Sequence, residues 1–555
     1  MTTRSLALRI LLALSCALAA CSAGDDRPAD LVVYGRIWTG DTARPWASAL
    51  AVSGDTIRLV GDSAEVAALV GKETTVIAEP GAMVVPGFTD GHLHLTSGGM
   101  ALGSVDLRDA ASPAEFIARI RTHAAALGPG QWVLGGRWDH ERWPGSPLPS
   151  RQWIDSATPD RPVLIYRLDG HMALANSAAL EAAGVTRATP DVAGGEIARD
   201  AAGEPTGILR DAAIGLVSSR VPPPAPEQVD SAVARALRYL AERGITSFAS
   251  VSAPWEELAA LDRLRKAGRL TARATLFFPL EHWRAVADTV AARGRGDDWI
   301  RLGGVKGYAD GSLGSQTALF YEPYAQNPRT SGLLVTPEDS LRRWIGSADS
   351  AGLQVVVHAI GERANGLVLA IYDSVNRAHG PRDRRFRIEH AQHLRPADLV
   401  RFGQSRVIAS MQPIHLTDDG RWAAKRLGPE RATHSYQFRT LLDQHAVVVF
   451  GSDWPVAAAD PVLGIAAAVT RRLWDGSMPA GWIPEQRIGV EEALRAYTAA
   501  NAYGVFAEGR TGVLRPGARA DLVVLGRDLT AISPDSIGST PVLRTVVGGK
   551  EVYRR

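Results

Sequence analysis

The chain has 555 residues, of which 46% are hydrophobic and 22% charged, and its formal net charge is +2. This is ordinary globular composition with ample core material. Acids and bases are well mixed, with no basic stripe or basic–aromatic patch, which excludes nucleic-acid binding as the main function.

Length alone suggests roughly three or four domains, but a barrel of parallel strands holds well over ~250 residues in one unit. The first 21 residues, MTTRSLALRILLALSCALAAC, place Arg4 and Arg9 ahead of an apolar stretch that ends in small residues. That is the pattern of an export signal, too short for a comfortable membrane span. Leu18-Ala19-Ala20-Cys21 resembles a bacterial lipobox, so Cys21 is the expected lipidation site and mature N-terminus. A plain secretory signal cut after Ala20, or a short anchor, is the alternative. The protein is therefore expected to be exported and lipid-anchored to a bacterial membrane, at the periplasmic face of the outer membrane in a Gram-negative cell. Cys16 and Cys21 are the only cysteines. The mature body accordingly has no disulfide and no thiolate, and a metal site there must use His, Asp, Glu or Lys.

After a polar spacer, LVVYGRIWTG and TTVIAEPGAMVVPGF read as strands. EQVDSAVARALRYLAERG puts Val229, Val233, Ala236, Leu237 and Leu240 on one helical face, and Gly244 stops the helix before the strand ITSFASV. Further apolar runs lie in WIRLGGVKGYADG, LQVVVHAIG, FRIEHAQ, VIASMQPIH and VVVFGSDWP. Continuous apolar strands alternating with helices predict a parallel sheet buried on both faces. The ionisable residues recur at the C-terminal ends of these strands, which is the catalytic mouth of a (β/α)8 barrel. WVLGGRW and PVLIYRLDGH are surplus to eight strands and are expected to belong to an elaboration. ADLVVLGRD near the end echoes ADLVVYGRI near the start, which predicts a small β-sandwich domain built from both chain ends. The expected organisation is a leader at 1–21, β-domain segments at 22–85 and 505–555, and a TIM-like barrel at 86–504.

Residues i and i+2 of a strand face the same side, so His92 and His94 in GFTDGHLHL can reach one point at the mouth. One His-x-His alone fits a metal site and a packed core equally well. His358, His390 and Asp453, each ending an apolar run, make up a set of four imidazoles and a carboxylate suited to a divalent cation such as Zn²⁺ or Mn²⁺. Lys306 lies inside an apolar, glycine-rich strand, where a bare ammonium is costly. The plain reading is that it snorkels outward or pairs with Asp310.

Taken in order, PGFTDGHLHL, DGHMALANSAAL, GEPTGILRD, VKGYADGSLGSQTA, VVVHAIGERAN, RIEHAQHL, MQPIH and GSDWPV resemble the metal-dependent amidohydrolase superfamily. The similarity is to its amidohydrolase-3 group, which includes N-substituted formamide deformylase, and it runs over nearly the whole mature chain. The resemblance implies that His92, His94, His358, His390 and Asp453 are metal ligands and that Asp453 is also the general base. It implies a carboxylated Lys306 bridging two metal ions. His171 is implied as a catalytic and substrate-facing residue, with Asp310, Gln412 and His415 on the substrate side. Trp422, Trp138, Trp143 and Trp454 are weaker candidates for pocket wall. The implied cofactor is one or two divalent ions, Zn with Mn or Fe as alternatives.

The expected reaction is hydrolysis of a non-peptide C–N bond in an amide, formamide or cyclic amide, by a metal-activated water with Asp453 as base. The partner is a small-molecule substrate, and homo-oligomerisation stays open. Two other readings remain at this point: a mononuclear deaminase of a ring amidine with Glu362 shuttling protons, and a solute-binding lipoprotein that kept the fold without the chemistry. No Gly-x-Ser-x-Gly elbow occurs, so a serine hydrolase lacks its nucleophile.

Overall fold

The computed structural model describes residues 27–128, 130–140, 143–167, 172–192, 195–211, 213–314 and 316–555. The leader, Cys21 and His171 lie outside the described residues.

The first strands are β1 (Leu31–Trp38), β2 (Trp46–Ser53), β3 (Thr56–Gly61) and β4 (Thr75–Pro86). Directly after them comes β5 (Phe88–Leu93), the first barrel strand, and then an elaboration: β6 (Val105–Asp106), β7 (Val133–Trp138), β8 (Val163–Arg167), β9 (Met172–Ala175), β10 (Gly195–Arg199) and β11 (Pro205–Asp211). These six strands pair only with one another, in the order β10-β11-β9-β8-β7-β6. WVLGGRW and PVLIYRLDGH thus belong to an inserted sheet with its own core around Phe116, Trp138, Trp143 and Ile165.

The barrel resumes with β12 (Ile245–Val251), β13 (Arg273–Pro279), β14 (Ile300–Tyr308), β15 (Gln354–Ala359), β16 (Arg387–His390), β17 (Ile408–Met411) and β18 (Val448–Phe450). With β5 these form one eight-stranded sheet in the order β18-β17-β16-β15-β14-β13-β12-β5, and every one of these pairings is parallel. The strands are buried on both faces because helices such as Pro226–Ala241 lay apolar stripes on them. That helix buries Val229, Val233, Ala236, Leu237 and Leu240, the residues its periodicity marks. Strand β13, RATLFFP, had not stood out in the sequence, because it ends in Phe277, Phe278 and Pro279 and carries no ionisable residue at the mouth.

The barrel closes where the chain leaves β5 and β18. The Asp453 amide donates to the His92 carbonyl (2.6 Å), and the His94 amide donates to that of Trp454 (2.8 Å). Two glycines permit this approach. A Cβ on Gly91 would lie 2.4 Å from Asn501 Oδ1, and one on Gly451 only 2.5 Å from the His92 amide nitrogen. Asn501 ties the seam from below, its amide donating to the carbonyls of Thr89 and Phe450, both at 2.8 Å.

The last strands, β19 (Leu522–Leu525), β20 (Val542–Val547) and β21 (Lys550–Arg554), return to the first sheet. Its order is β21-β20-β19-β4-β1-β2-β3, so the two echoing segments, β1 and β19, flank β4 in a β-domain assembled from both chain ends. A buried ion pair, Arg273 with Asp521 at 2.6 and 2.9 Å, fastens this domain to the barrel. Among the described residues no helix is long and apolar enough to cross a membrane.

Candidate metal centre

The C-terminal ends of β5, β14, β15, β16 and β18 bring His92, His94, Lys306, His358, His390 and Asp453 to the barrel mouth. Asp453 Oδ1 lies 3.1 Å from His94 Nε2 and 3.4 Å from His92 Nε2. The His390 ring is 5.0 Å from that of His92 and 4.4 Å from that of His358. Two overlapping groups have their ligand atoms within 4.8 Å of one another: His92, His94 and Asp453, and His390, His415 and Asp453. Asp453 is common to both.

Backbone geometry aims these groups. His390 and Asp453 adopt φ of 73° and 59°, in the left-handed region that non-glycine residues enter at a cost. Such strain persists where the surroundings over-determine it, commonly at functional sites. In β16 it also breaks the alternation. Arg387 and Glu389 share the inward side, and the turn of the chain at His390 sends the next side chain to the same centre.

The electrostatics favour ligands over ions. Burial, and after it the nearby Lys306 charge, lowers His358 to about 3. Burial and His358 push His390 well below the usual histidine range. Both imidazoles are therefore neutral near pH 7 and keep a lone pair for a metal. Burial alone would raise Asp453, yet the neighbouring His92 and His94 hold it well below the carboxylate range, so it is anionic. His92 is raised: burial and Lys306 oppose its protonation, and the carboxylates of Glu389 and Asp453 outweigh them.

Three polar atoms test whether this set fits a cation. His92 Nε2, His390 Nδ1 and Lys306 Nζ are buried with no hydrogen-bond partner among the described residues. Orphaned buried donors and acceptors are rare enough to demand an explanation. Lone pairs converging on one carboxylate are the donor set of a divalent ion, so the residues fit. Lys306 Nζ is 4.6 Å from the Tyr308 ring centre, a contact that offsets only part of the cost of burying an ammonium.

Other residues fall elsewhere. Asp310 is buried and its carboxylate accepts from the amides of Leu319 (2.7 Å), Ile360 (2.9 Å) and Gly361 (2.8 Å), bracing the loops beside His358. Burial raises it to about 7 despite those bonds. Gln412 is buried, its amide at 3.4 Å from the Ser410 carbonyl. The Nε2–H of His415 donates to the Ser452 carbonyl at 3.1 Å, which leaves Nδ1 free, so this residue stands at the metal edge rather than only on the substrate side. The Nε2–H of His358 donates to the Gly311 carbonyl at 3.1 Å, and its ligand atoms fall outside both groups. Glu362 is buried in the first turn of helix Glu362–His379. Trp454 stacks on Tyr239 (4.9 Å), whereas Trp138 and Trp143 are core of the insert and not wall of this site.

Three supporting residues, Glu389, Arg387 and Asp90, belong to none of the candidates that the sequence marks. Glu389 Oε2 is 2.6 Å from His92 Nδ1, and Arg387 holds Glu389. Asp90 accepts from the Ser452 hydroxyl (2.5 Å) and amide (3.0 Å) and from the His92 amide (3.1 Å). Burial raises Asp90 to about 6 against these bonds. The available signal was two opposite charges two residues apart in a short apolar strand, RIEH, which places both on one face.

Comparison with known proteins agrees with this geometry. The profile of the amidohydrolase family matches residues 76–553. Protein LONG AFTER FAR-RED 3 of Arabidopsis thaliana is 41% identical over 537 residues, covering 94% of this chain and 91% of its own. N-substituted formamide deformylase of Arthrobacter pascens is 28% identical over 95% of this chain and 98% of its own. The crystal structure of an uncharacterized metal-dependent hydrolase from Pyrococcus furiosus superimposes with a TM-score of 0.76 at 31% identity, covering 90% of this chain and 99% of that one. Barrel, β-domain and donor set together place this chain in the amidohydrolase family, as a metal-dependent hydrolase.

Proposed function

We propose that this hydrolase cleaves a non-peptide C–N bond in a small amide, formamide or cyclic amide. The observation that carries the reading is the pair of donor groups sharing Asp453 at the barrel mouth. His92, His94 and Asp453 would hold one divalent ion, with Zn expected and Mn or Fe as alternatives. His390, with His358 or His415 and a carboxylated Lys306, would hold a second. Bound there, a divalent cation lowers the pKa of a water and places positive charge where a carbonyl oxygen gathers negative charge.

The chain's own residues do the rest. Anionic Asp453 takes a proton from the attacking water and returns it to the leaving nitrogen. Neutral His358 and His390 add no competing positive charge. Lys306 is buried in the apolar barrel wall; as a neutral amine it can add CO₂, releasing a proton, and become an anion. His171 is assigned to the substrate side by resemblance. Export and lipidation at Cys21 belong to the same proposal and rest on the leader's pattern.

The test is metal per chain, by elemental analysis of leader-free protein produced with zinc or manganese and bicarbonate, beside Lys306→Ala. About two ions, falling toward one in the variant, supports the bridged centre and directs a screen of amides and formamides. One ion in both removes Lys306 from the site and brings ring-amidine deamination forward. No bound ion in either sinks the hydrolytic reading.

A further inference from the structure

Below the metal centre, the barrel interior holds a charged chain that the donor set does not require. Arg387, Glu389 and His92 are each 0% exposed. His92 Nδ1 lies 2.6 Å from Glu389 Oε2. The Arg387 guanidinium donates to Glu389 through Nε to Oε1 (2.8 Å) and Nη2 to Oε2 (3.1 Å). The same Nη2 lies 2.7 Å from the Gly91 carbonyl on β5 and 3.0 Å from Ser410 Oγ on β17. Three strands, β5, β16 and β17, are thus joined through one guanidinium.

From this geometry we infer that Glu389, held by Arg387, is a positioning residue that fixes His92 with its proton on Nδ1 and its Nε2 lone pair aimed at the metal. A guanidinium is always charged and only donates, so the carboxylate it grips stays an acceptor. The short bond to His92 is therefore Nδ1–H to carboxylate oxygen. That leaves Nε2, the buried atom without a partner, 3.4 Å from Asp453. A second partner of this kind sets the tautomer and ring orientation of a ligating histidine. The inference rests on the metal-hydrolase reading above.

A merely structural role is the competing account, and energetics separate the two. Buried ion pairs are replaceable by apolar side chains of similar volume with little or no loss of stability, while removing one partner strands a charge. The informative variant is the double replacement Arg387→Met with Glu389→Leu, which strands none. We expect it to fold, and its zinc affinity, measured by competition with a chromophoric chelator, to fall 10–100-fold. The companion Arg387→Met with Glu389→Gln offers a neutral amide oxygen to Nδ1–H and should recover part of that loss. Affinity within about twofold of wild type in the Met/Leu variant overturns the inference.

A measurement on the unsubstituted protein stands beside the variants. In zinc-loaded protein with ¹⁵N-labelled histidine, the His92 resonances should report a protonated Nδ1 and a ligating Nε2. Ligation through Nδ1 overturns the inference even if no variant folds. Absence of zinc from wild type overturns the hydrolase reading itself, which the elemental analysis detects separately.

Discussion

Where β5 meets β18, His92, His94 and Asp453 are drawn together by contacts of 3.1 and 3.4 Å, and the backbone behind them is pinned by Asp90, Asn501 and two glycines. Across the mouth, the edge formed by β14, β15 and β16 leaves Lys306 Nζ and His390 Nδ1 buried without hydrogen-bond partners among the described residues. The first edge sets one carboxylate within 3.4 Å of two imidazoles, although His92 Nε2 too has no hydrogen-bond partner among the described residues; the second is unfinished in that Lys306 and His390 have no such carboxylate contact among those residues. Preorganised ligands bind without a further ordering cost, so on the proposal above the first ion would be held at the β5–β18 edge. On the same proposal, a second would depend on the chemical state of Lys306.

The comparison is broken most severely at the residue both halves share. Asp453→Asn keeps the shape but removes the proposed base and a proposed charged ligand. On any amide that wild type turns over, its rate should fall by at least about 10³-fold, with metal per chain reduced. A rate within tenfold of wild type would remove Asp453 from the chemistry.

The seam is the next place to press. Gly451→Ala drives a methyl against the His92 amide, backbone that cannot swing away. A cost of ~3 kcal/mol is expected from overpacking of this kind, read as a lower denaturation midpoint. The His92–His94–Asp453 half should lose affinity for its ion. Unchanged stability would mean that the two strand ends are not held as tightly as their contacts imply.

Lys306→Met probes the unfinished edge with a smaller effect of opposite sign. In metal-free, bicarbonate-free protein it deletes a buried amino group with no hydrogen-bond partner among the described residues. Removing such a group should stabilise the fold by ~2 kcal/mol, while the second ion can no longer bind. A destabilised variant would show that the lysine is already satisfied in the metal-free state.

Much of this was legible in the chain itself. His92, His94, His358, His390 and Asp453 end apolar strands, and a strand's end at a barrel mouth is a position that spacing and hydrophobicity can mark. The face of helix Pro226–Ala241 was equally plain, because a 3.6-residue period is a local property. Closure of the barrel was not local. It depends on Gly91, Gly451 and Asn501, residues far apart in sequence whose types say nothing until β5 and β18 meet. Arg387 and Glu389 were hidden for a related reason: a charged pair in a strand reads as a solvated face unless its partner across the barrel is known. His415 is implied on the substrate side by the resemblance of MQPIH, and only the fold brings it to His390 and Asp453. Trp138 and Trp143 illustrate the reverse, since a large aromatic in a strand is as readily core as pocket wall, and here both are core of the insert.

The smallest expected effect tests what backs the unfinished edge. Just beyond His390, His393 is buried, its Nδ1 2.9 Å from Ser435 Oγ, and its Nε2 3.2 Å from the Gln392 amide. Gln392 and Tyr436 both donate to Asp419 at 2.6 Å. Burial, with His434 and Arg431 nearby, depresses His393 to about 3 from an ordinary 6.5. The unfolded chain therefore takes up a proton near pH 6.5 that the folded chain refuses. This contribution to stability is fully present above pH 6.5 and is lost progressively as pH falls toward 3. Between those values His393 adds a slope of ~1.4 kcal/mol per pH unit. His393→Gln keeps a polar side chain without a titrating one, so urea denaturation at pH 6.5, 5.5 and 4.5 should show a shallower decline by that amount, whatever its absolute stability. An unchanged slope would mean that His393 is protonated in the folded protein as readily as in the unfolded one, and the network behind His390 would then be open to water rather than a sealed support for the second half of the site.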